Sequence, residues 1–155
     1  MKFKIFTHAK LMTSIVLSAT VLVSTNAVAQ AAPDATLAAA AKEPGAKVTA
    51  SGLVIRMIKD GSGAQPSASS TVKVHYKGTF PDGKEFDSSY KRGEPIEFGL
   101  NRVIPCWTEG VGLMKVGSTA KLTCPSAIAY GSRGAGGVIP PNATLVFEVE
   151  LLAVR

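Results

Sequence analysis

The sequence predicts an α+β domain, with about five antiparallel strands set around one short helix. Three observations predict it. Fifteen Gly and nine Pro in 155 residues punctuate the chain with turns, which suits strands better than long helices. Apolar and polar residues alternate in several separate stretches, the period of a strand with one buried face. A single segment, around the only Trp, carries apolar residues at helical spacing on a strong start signal.

Taken in order, the chain opens on a targeting pattern. Lys2, Lys4 and Lys10 lie in the first ten residues, without an acid. An apolar run follows from Leu11 to Val23, about 13 residues and shorter than the roughly 20 that a spanning helix needs. Ala27-Val28-Ala29 then has the small-x-small form of a signal peptidase site. Residues 1–29 are therefore expected to be a signal peptide, and the remainder an exported protein, periplasmic or secreted, with no membrane segment after cleavage. Residues 30–50 are Ala-rich with Pro33, Pro44 and Gly45, and are expected to be a flexible linker. A helix over Leu37 to Lys42 would be too short to stand alone. Residues 51–155 form the folded domain.

Within it, Gly52 to Lys59 reads as a strand closed by the Asp60-Gly61-Ser62-Gly63 turn. Val72 to Gly78 alternates cleanly, placing Val72, Val74 and Tyr76 on one face and Lys73, His75 and Lys77 on the other. Pro81-Asp82-Gly83-Lys84 is a hairpin turn, and Glu85-Phe86-Asp87-Ser88-Ser89 follows it. Ile96 to Leu100 is a short strand. Pro105 suits a first helical turn, after which Trp107, Val111 and Met114 share a face, and Gly117 stops the helix. Ser118 to Pro125 alternates again, with Ala120, Leu122 and Cys124 inward. Residues 131–141 form a Gly-rich loop, and Ala143 to Val154 is the last strand, with Leu145, Phe147, Val149 and Leu151 inward.

Composition narrows function. Apolar residues are 46% and charged ones 18%, a globular balance. Net charge is +6, but without the three lysines of the leader 14 basic residues face 11 acidic ones, too mild an excess to suggest nucleic acid. His75 is the only His outside the leader, which argues against a His-cluster metal site. There is no Ser-His-Asp order, no Cys-x-x-Cys and no carboxylate pair in an apolar frame. The loop glycines do not lead from a strand into a helix, so a phosphate cradle is weakly supported. No heptad pattern favours dimerisation, and a monomer is expected. What remains is a set of single aromatics on separate elements, Tyr76, Phe86, Phe98, Trp107, Tyr130 and Phe147, which could line one apolar cleft.

These residues resemble the FKBP-type peptidyl-prolyl cis-trans isomerases over roughly residues 51–155. The motifs are Val72-x-Val74-His75-Tyr76-x-Gly78, Asp82-Gly83-x-x-Phe86-Asp87-Ser88-Ser89, Val103-Ile104-Pro105-x-Trp107-x-Glu109-Gly110, Ala129-Tyr130-Gly131 and Ile139-Pro140-Pro141-Asn142-x-x-Leu145-x-Phe147-x-Val149. Each is weak alone; together, in this order, they are specific. The resemblance implies a sheet curled around the helix, with Trp107 as the floor for a substrate proline. It implies Tyr76, Phe86, Ile96, Phe98, Val103, Ile104 and Phe147 as walls and Val138 and Ile139 as a flap. The Ile104 N–H and Tyr130 hydroxyl would hold the substrate backbone, and Asp87 would stand near the twisted amide. It further implies proline-containing unfolded or partly folded polypeptides as substrates, macrolide immunosuppressants as inhibitors, and no metal or cofactor. Ile96 stands where the family often has Phe, and Cys106 where it usually has Gly.

Three function classes are then weighed. An isomerase acting on exported proteins is favoured. A non-catalytic peptide-binding module or holdase using the same groove would be favoured by loss of Trp107 or Asp87, and both are present. A thiol–disulfide oxidoreductase is disfavoured by the spacing of Cys106 and Cys124. These two cysteines leave two readings open. Export and the inward phase of Cys124 allow a disulfide beneath the floor, whereas two buried thiols acting as small apolar fillers would pack equally well.

Overall fold

Hydrophobic alternation places the strands where the sheet needs them, and the computed structural model describes residues 34–155. The expected signal peptide and its cleavage position lie outside the described residues. Helix α1 (Ala35–Ala41) leads into β1 (Ala46–Val48) and β2 (Val54–Lys59). The long β3 (Thr71–Thr79) follows, then β4 (Glu85–Ser88), the single-turn α2 (Ser89–Arg92) and β5 (Ile96–Gly99). Helix α3 (Pro105–Gly112), β6 (Thr119–Cys124) and β7 (Leu145–Val154) complete the order.

All pairings are antiparallel, and the sheet runs β1-β2-β6-β7-β3-β4, with β5 pairing the other end of β3. Among the described residues the sheet thus has seven strands, against about five expected. The additional ones are the short pieces Ala46–Val48 and Glu85–Ser88, too brief to show a period of their own, and they form because a neighbouring strand offers unpaired backbone groups.

One face of the sheet closes over α3. Val72, Val74, Ala120, Leu122, Leu145, Val149 and Leu151 are fully buried from the strands, and Val111 and Met114 from the helix side. Gly110 allows the close approach: a Cβ there would stand 2.8 Å from the Leu122 side chain. Cys106, in the first turn of α3, is bridged to Cys124 of β6 across a Cα–Cα distance of 5.9 Å. Of the two readings open in sequence, the bridge is the one formed, and both residues are completely buried.

Within the segment expected to be a flexible linker, the described residues form a helix and a short strand. Asp34 caps α1 by accepting the Thr36 N–H at 2.8 Å, and its other oxygen takes the Thr144 hydroxyl. Ala40 is buried. Just beyond the helix, Glu43 receives Lys121 Nζ at 2.5 Å and Arg56 Nε at 2.8 Å. The Lys121 hydrogen bond first, then the charges of Lys121 and Arg56, hold the Glu43 carboxyl below its usual range despite partial burial. A seven-residue helix does fail alone; here sheet contacts, not propensity, supply the stability, and such contacts have no local sequence signature.

Candidate active site

The curl of the sheet leaves an open cleft of about 490 Å³ above α3. Trp107 sits at its base, 5% exposed, because the turn Pro105 begins points the third helical residue into the concave face. The Tyr76 and Phe147 rings stand nearly perpendicular to the indole, at 83° and 88°, with centroids 5.1 and 5.3 Å away. Phe98 closes a third side at 5.3 Å. Edge-to-face contacts of this kind are worth about 0.5–1.5 kcal/mol each beyond burial, so the floor is rigidly held. The Trp107 Nε1–H is buried with no oxygen or nitrogen acceptor among the described residues; its surroundings are aromatic.

Phe86 and Asp87 are neighbours in β4, yet both line the cleft. Simple alternation would send one of them away. The register explains the exception: Gly78 pairs with Asp87 and Thr79 with Glu85, which leaves Phe86 as an extra residue in a bulge. Gly78 is required opposite it, since a Cβ there would lie 2.6 Å from the Phe86 ring.

The polar groups are few. The Tyr76 hydroxyl donates to Asp87 Oδ2. Arg92, at the end of α2, places Nη1 2.5 Å from Asp87 Oδ1 and Nη2 2.9 Å from the Tyr76 oxygen. Burial pushes the Asp87 carboxyl up, but hydrogen bonds from Tyr76 and Arg92 and the guanidinium charge outweigh it, so the group stays ionised below the usual carboxylate range. Burial, then the bond to Asp87, raises the Tyr76 phenol. Burial and the Asp87 charge raise that of Tyr130. Both hydroxyls are therefore protonated donors at neutral pH. Tyr130 is 38% exposed at the rim. The Ile104 N–H has no hydrogen-bond partner among the described residues, because Ile104 is the N-cap of α3 and its carbonyl alone is taken by the helix.

A backbone gap also stands behind Tyr76. On one side of β3, β4 pairs only from Lys77 onward and β5 only up to Val74. The fully buried Ser89 fills the gap: its Oγ accepts the Tyr76 N–H at 2.8 Å and reaches the Tyr76 carbonyl at 3.2 Å. His75 Nδ1 lies 2.9 Å from the same oxygen, and its ring stacks on Tyr90 with centroids 4.6 Å apart. His75, read in sequence simply as an outward residue, braces the support of the cleft from outside.

Most residues singled out in sequence therefore meet: Tyr76, Phe86, Asp87, Ile96, Phe98, Val103, Ile104, Trp107, Tyr130 and Phe147 all line the cleft. Val138 and Ile139, expected as a flap over the site, do not line it, although Ile139 joins the buried cluster that holds Tyr76, Trp107 and Phe147. The chain folds back through paired bonds between Ala135 and Ile139, at 3.0 and 2.9 Å, which turns Ile139 into the core and leaves Val138 57% exposed. Sequence reading missed Arg92 and Arg102. Arg92 reaches Asp87 only because Ser88 caps a single turn between them, accepting the Lys91 N–H; Arg102 lines the rim. A larger groove of about 760 Å³ lies on the outer face of the sheet beside α1. It lacks any convergence of rings, and Arg56 and Lys121 within it are already paired with Glu43.

Residues 62–152 match the family of FKBP-type peptidyl-prolyl cis-trans isomerases. The chain is 60% identical over 119 residues to the FKBP-type peptidyl-prolyl cis-trans isomerase FkpA of Aeromonas hydrophila, covering 77% of this chain and 44% of that protein. It is 56% identical over 106 residues to FK506-binding protein 1 of Dictyostelium discoideum, covering 67% of this chain and 99% of that one. The crystal structure of FkpA from Escherichia coli superposes with a TM-score of 0.75 at 52% identity, over 77% of this chain and 55% of that one. The chain spans about half the length of the FkpA proteins it matches.

Proposed function

The chain belongs to the family of FKBP-type peptidyl-prolyl cis-trans isomerases, and from that premise we propose that it accelerates X–Pro isomerisation during the folding of exported proteins. The observation that carries this reading is the convergence of Tyr76, Phe98 and Phe147 on the Trp107 indole, in a mostly apolar cleft whose polar side chains, Asp87, Arg102 and the Tyr76 and Tyr130 hydroxyls, are few.

The uncatalysed barrier of roughly 18–20 kcal/mol comes from amide resonance, and interconversion takes tens of seconds or longer. Resonance places charge on the carbonyl oxygen and the nitrogen, so the planar amide is better solvated by water than the twisted one. A proline ring resting on Trp107 brings its amide into an apolar frame that replaces that water poorly, which favours the twisted form. The unspent Ile104 N–H and the Tyr130 hydroxyl are available to hold the substrate backbone. Asp87, kept anionic by Tyr76 and Arg92, places carboxylate oxygens beside the amide as local acceptors, its charge balanced by the Arg92 guanidinium. Donors set for the twisted geometry contribute differential binding, the only kind that raises the rate.

Export is supported by the leader pattern and by the Cys106–Cys124 bridge, since such bonds persist in oxidising compartments. The name of the Dictyostelium relative, FK506-binding protein 1, supports the expectation that a macrolide occupies the same cleft. The test is the isomerisation rate of a short Leu-Pro peptide with catalytic amounts of the purified protein, with and without macrolide. Catalysis abolished by the macrolide is expected. Saturable peptide binding without rate enhancement would leave a binding module instead.

A further inference from the structure

The charge of the cleft is unbalanced. Two charged side chains line it, Asp87 and Arg102. Asp87 is neutralised where it stands, by Arg92 at 2.5 Å and the Tyr76 hydroxyl on its other oxygen. Arg102 has no counterpart: among the described residues no carboxylate forms an ion pair with it. It ends the 3-10 turn Leu100–Arg102, is exposed, and stands two residues before Ile104, whose N–H is unspent.

We propose that Arg102 sets substrate preference: the cleft favours X–Pro segments with a carboxylate side chain on a residue beside the proline and disfavours a cation there. This rests on the isomerase reading of the same cleft. The physical cause is simple. The Asp87–Arg92 pair presents no net charge, so the field that a flanking side chain meets is that of one uncompensated guanidinium. Ile96, Phe98 and Val103 line the cleft with it, and their apolar surface keeps the local dielectric below that of water, so the attraction exceeds that of two ions in bulk. The rim position and exposure of Arg102 limit the effect to the range of a surface ion pair, about two- to fivefold in kcat/KM, and make it sensitive to salt.

Two peptide series test it, with Glu, Gln or Lys directly before the proline in one and directly after it in the other. The value of kcat/KM is measured for the wild type, Arg102→Gln, Arg102→Glu and Arg102→Lys at low ionic strength, and for the wild type again in about 1 M salt. Glu is expected to exceed Lys about two- to fivefold in at least one series. Salt and Arg102→Gln should flatten the preference, Arg102→Glu should invert it, and Arg102→Lys should keep its sign. A Glu-to-Lys ratio unchanged by Arg102→Gln and Arg102→Glu in both series overturns the proposal. Each ratio is taken within one protein preparation, so a variant that folds less well still reports it. Failure of the wild type to turn over any of the peptides would overturn the isomerase reading itself, whereas turnover of the Gln peptides without charge discrimination overturns only the role of Arg102.

Discussion

Replacing Cys106 and Cys124 together by Ala is expected to lower stability by about 3 kcal/mol, the chain-entropy value for a loop closed across a sequence separation of 18. Both sulfurs are fully buried, so the loss of their packing adds to this figure. The described part of the chain is about 120 residues, with an unfolding entropy of roughly 0.25 kcal/mol/K, so the melting temperature should fall by about 12 °C. Calorimetry of the wild type, the double variant and the reduced wild type measures this directly. Urea titration adds a second check. The unbridged unfolded chain expands, so the m-value should rise while the midpoint falls. Activity well below the melting transition should drop less than about threefold, or 0.65 kcal/mol. Trp107 remains held by three aromatic neighbours, and Val111 and Met114 still anchor the helix face. A melting temperature lowered by less than about 4 °C would refute the reasoning, since it would mean that the cross-link constrains the unfolded chain by under about 1 kcal/mol.

Asp87→Ala and Tyr130→Phe should each lower kcat/KM on the order of tenfold, about 1.4 kcal/mol, with little change in the melting curve; complete loss in a folded variant would point to acid–base chemistry instead. The pH dependence has a definite sign. The Asp87 pKa is lowered on folding, so its contribution is fully present above the ordinary value of 3.8 and is lost only as pH falls through the lower folded value. Activity followed from pH 8 down should therefore show no Asp87 limb until below 3.8, and a limb near 5 would contradict the ion pair with Arg92. Ser89→Ala should cost about 1–3 kcal/mol, because the Tyr76 N–H and carbonyl on that side lose the Ser89 hydroxyl that pairs them among the described residues. Ser89→Thr, which keeps the hydroxyl, should retain Tyr76 amide protection in hydrogen exchange where Ser89→Ala loses it.

Alternation alone determined which face of β3, β6 and β7 is buried, and so assigned Tyr76, Cys124 and Phe147 to the same interior. The Pro105 start and the 3.6-residue spacing of Trp107, Val111 and Met114 likewise determined α3 and its inward face. These features are legible because each is written in neighbouring residues. The tertiary structure alone decided the rest. Phe86 and Asp87 share the cleft through a bulge, which is a mismatch between two strands and absent from either one. The Arg92–Asp87–Tyr76 cluster joins β3, β4 and α2 across a Ser88-capped turn. Ser89 bonds Tyr76 only because β4 ends and β5 begins on either side of it. Helix α1 is held by Glu43 just beyond it, which reaches Arg56 of β2 and, 78 residues along the chain, Lys121 of β6. The bridge between Cys106 and Cys124 required the helix to lie within 5.9 Å of β6 between Cα atoms. Short-range pattern carries the elements and their faces; contacts between residues distant in sequence decide how those faces meet, because their free energy depends on distances that no local spacing encodes.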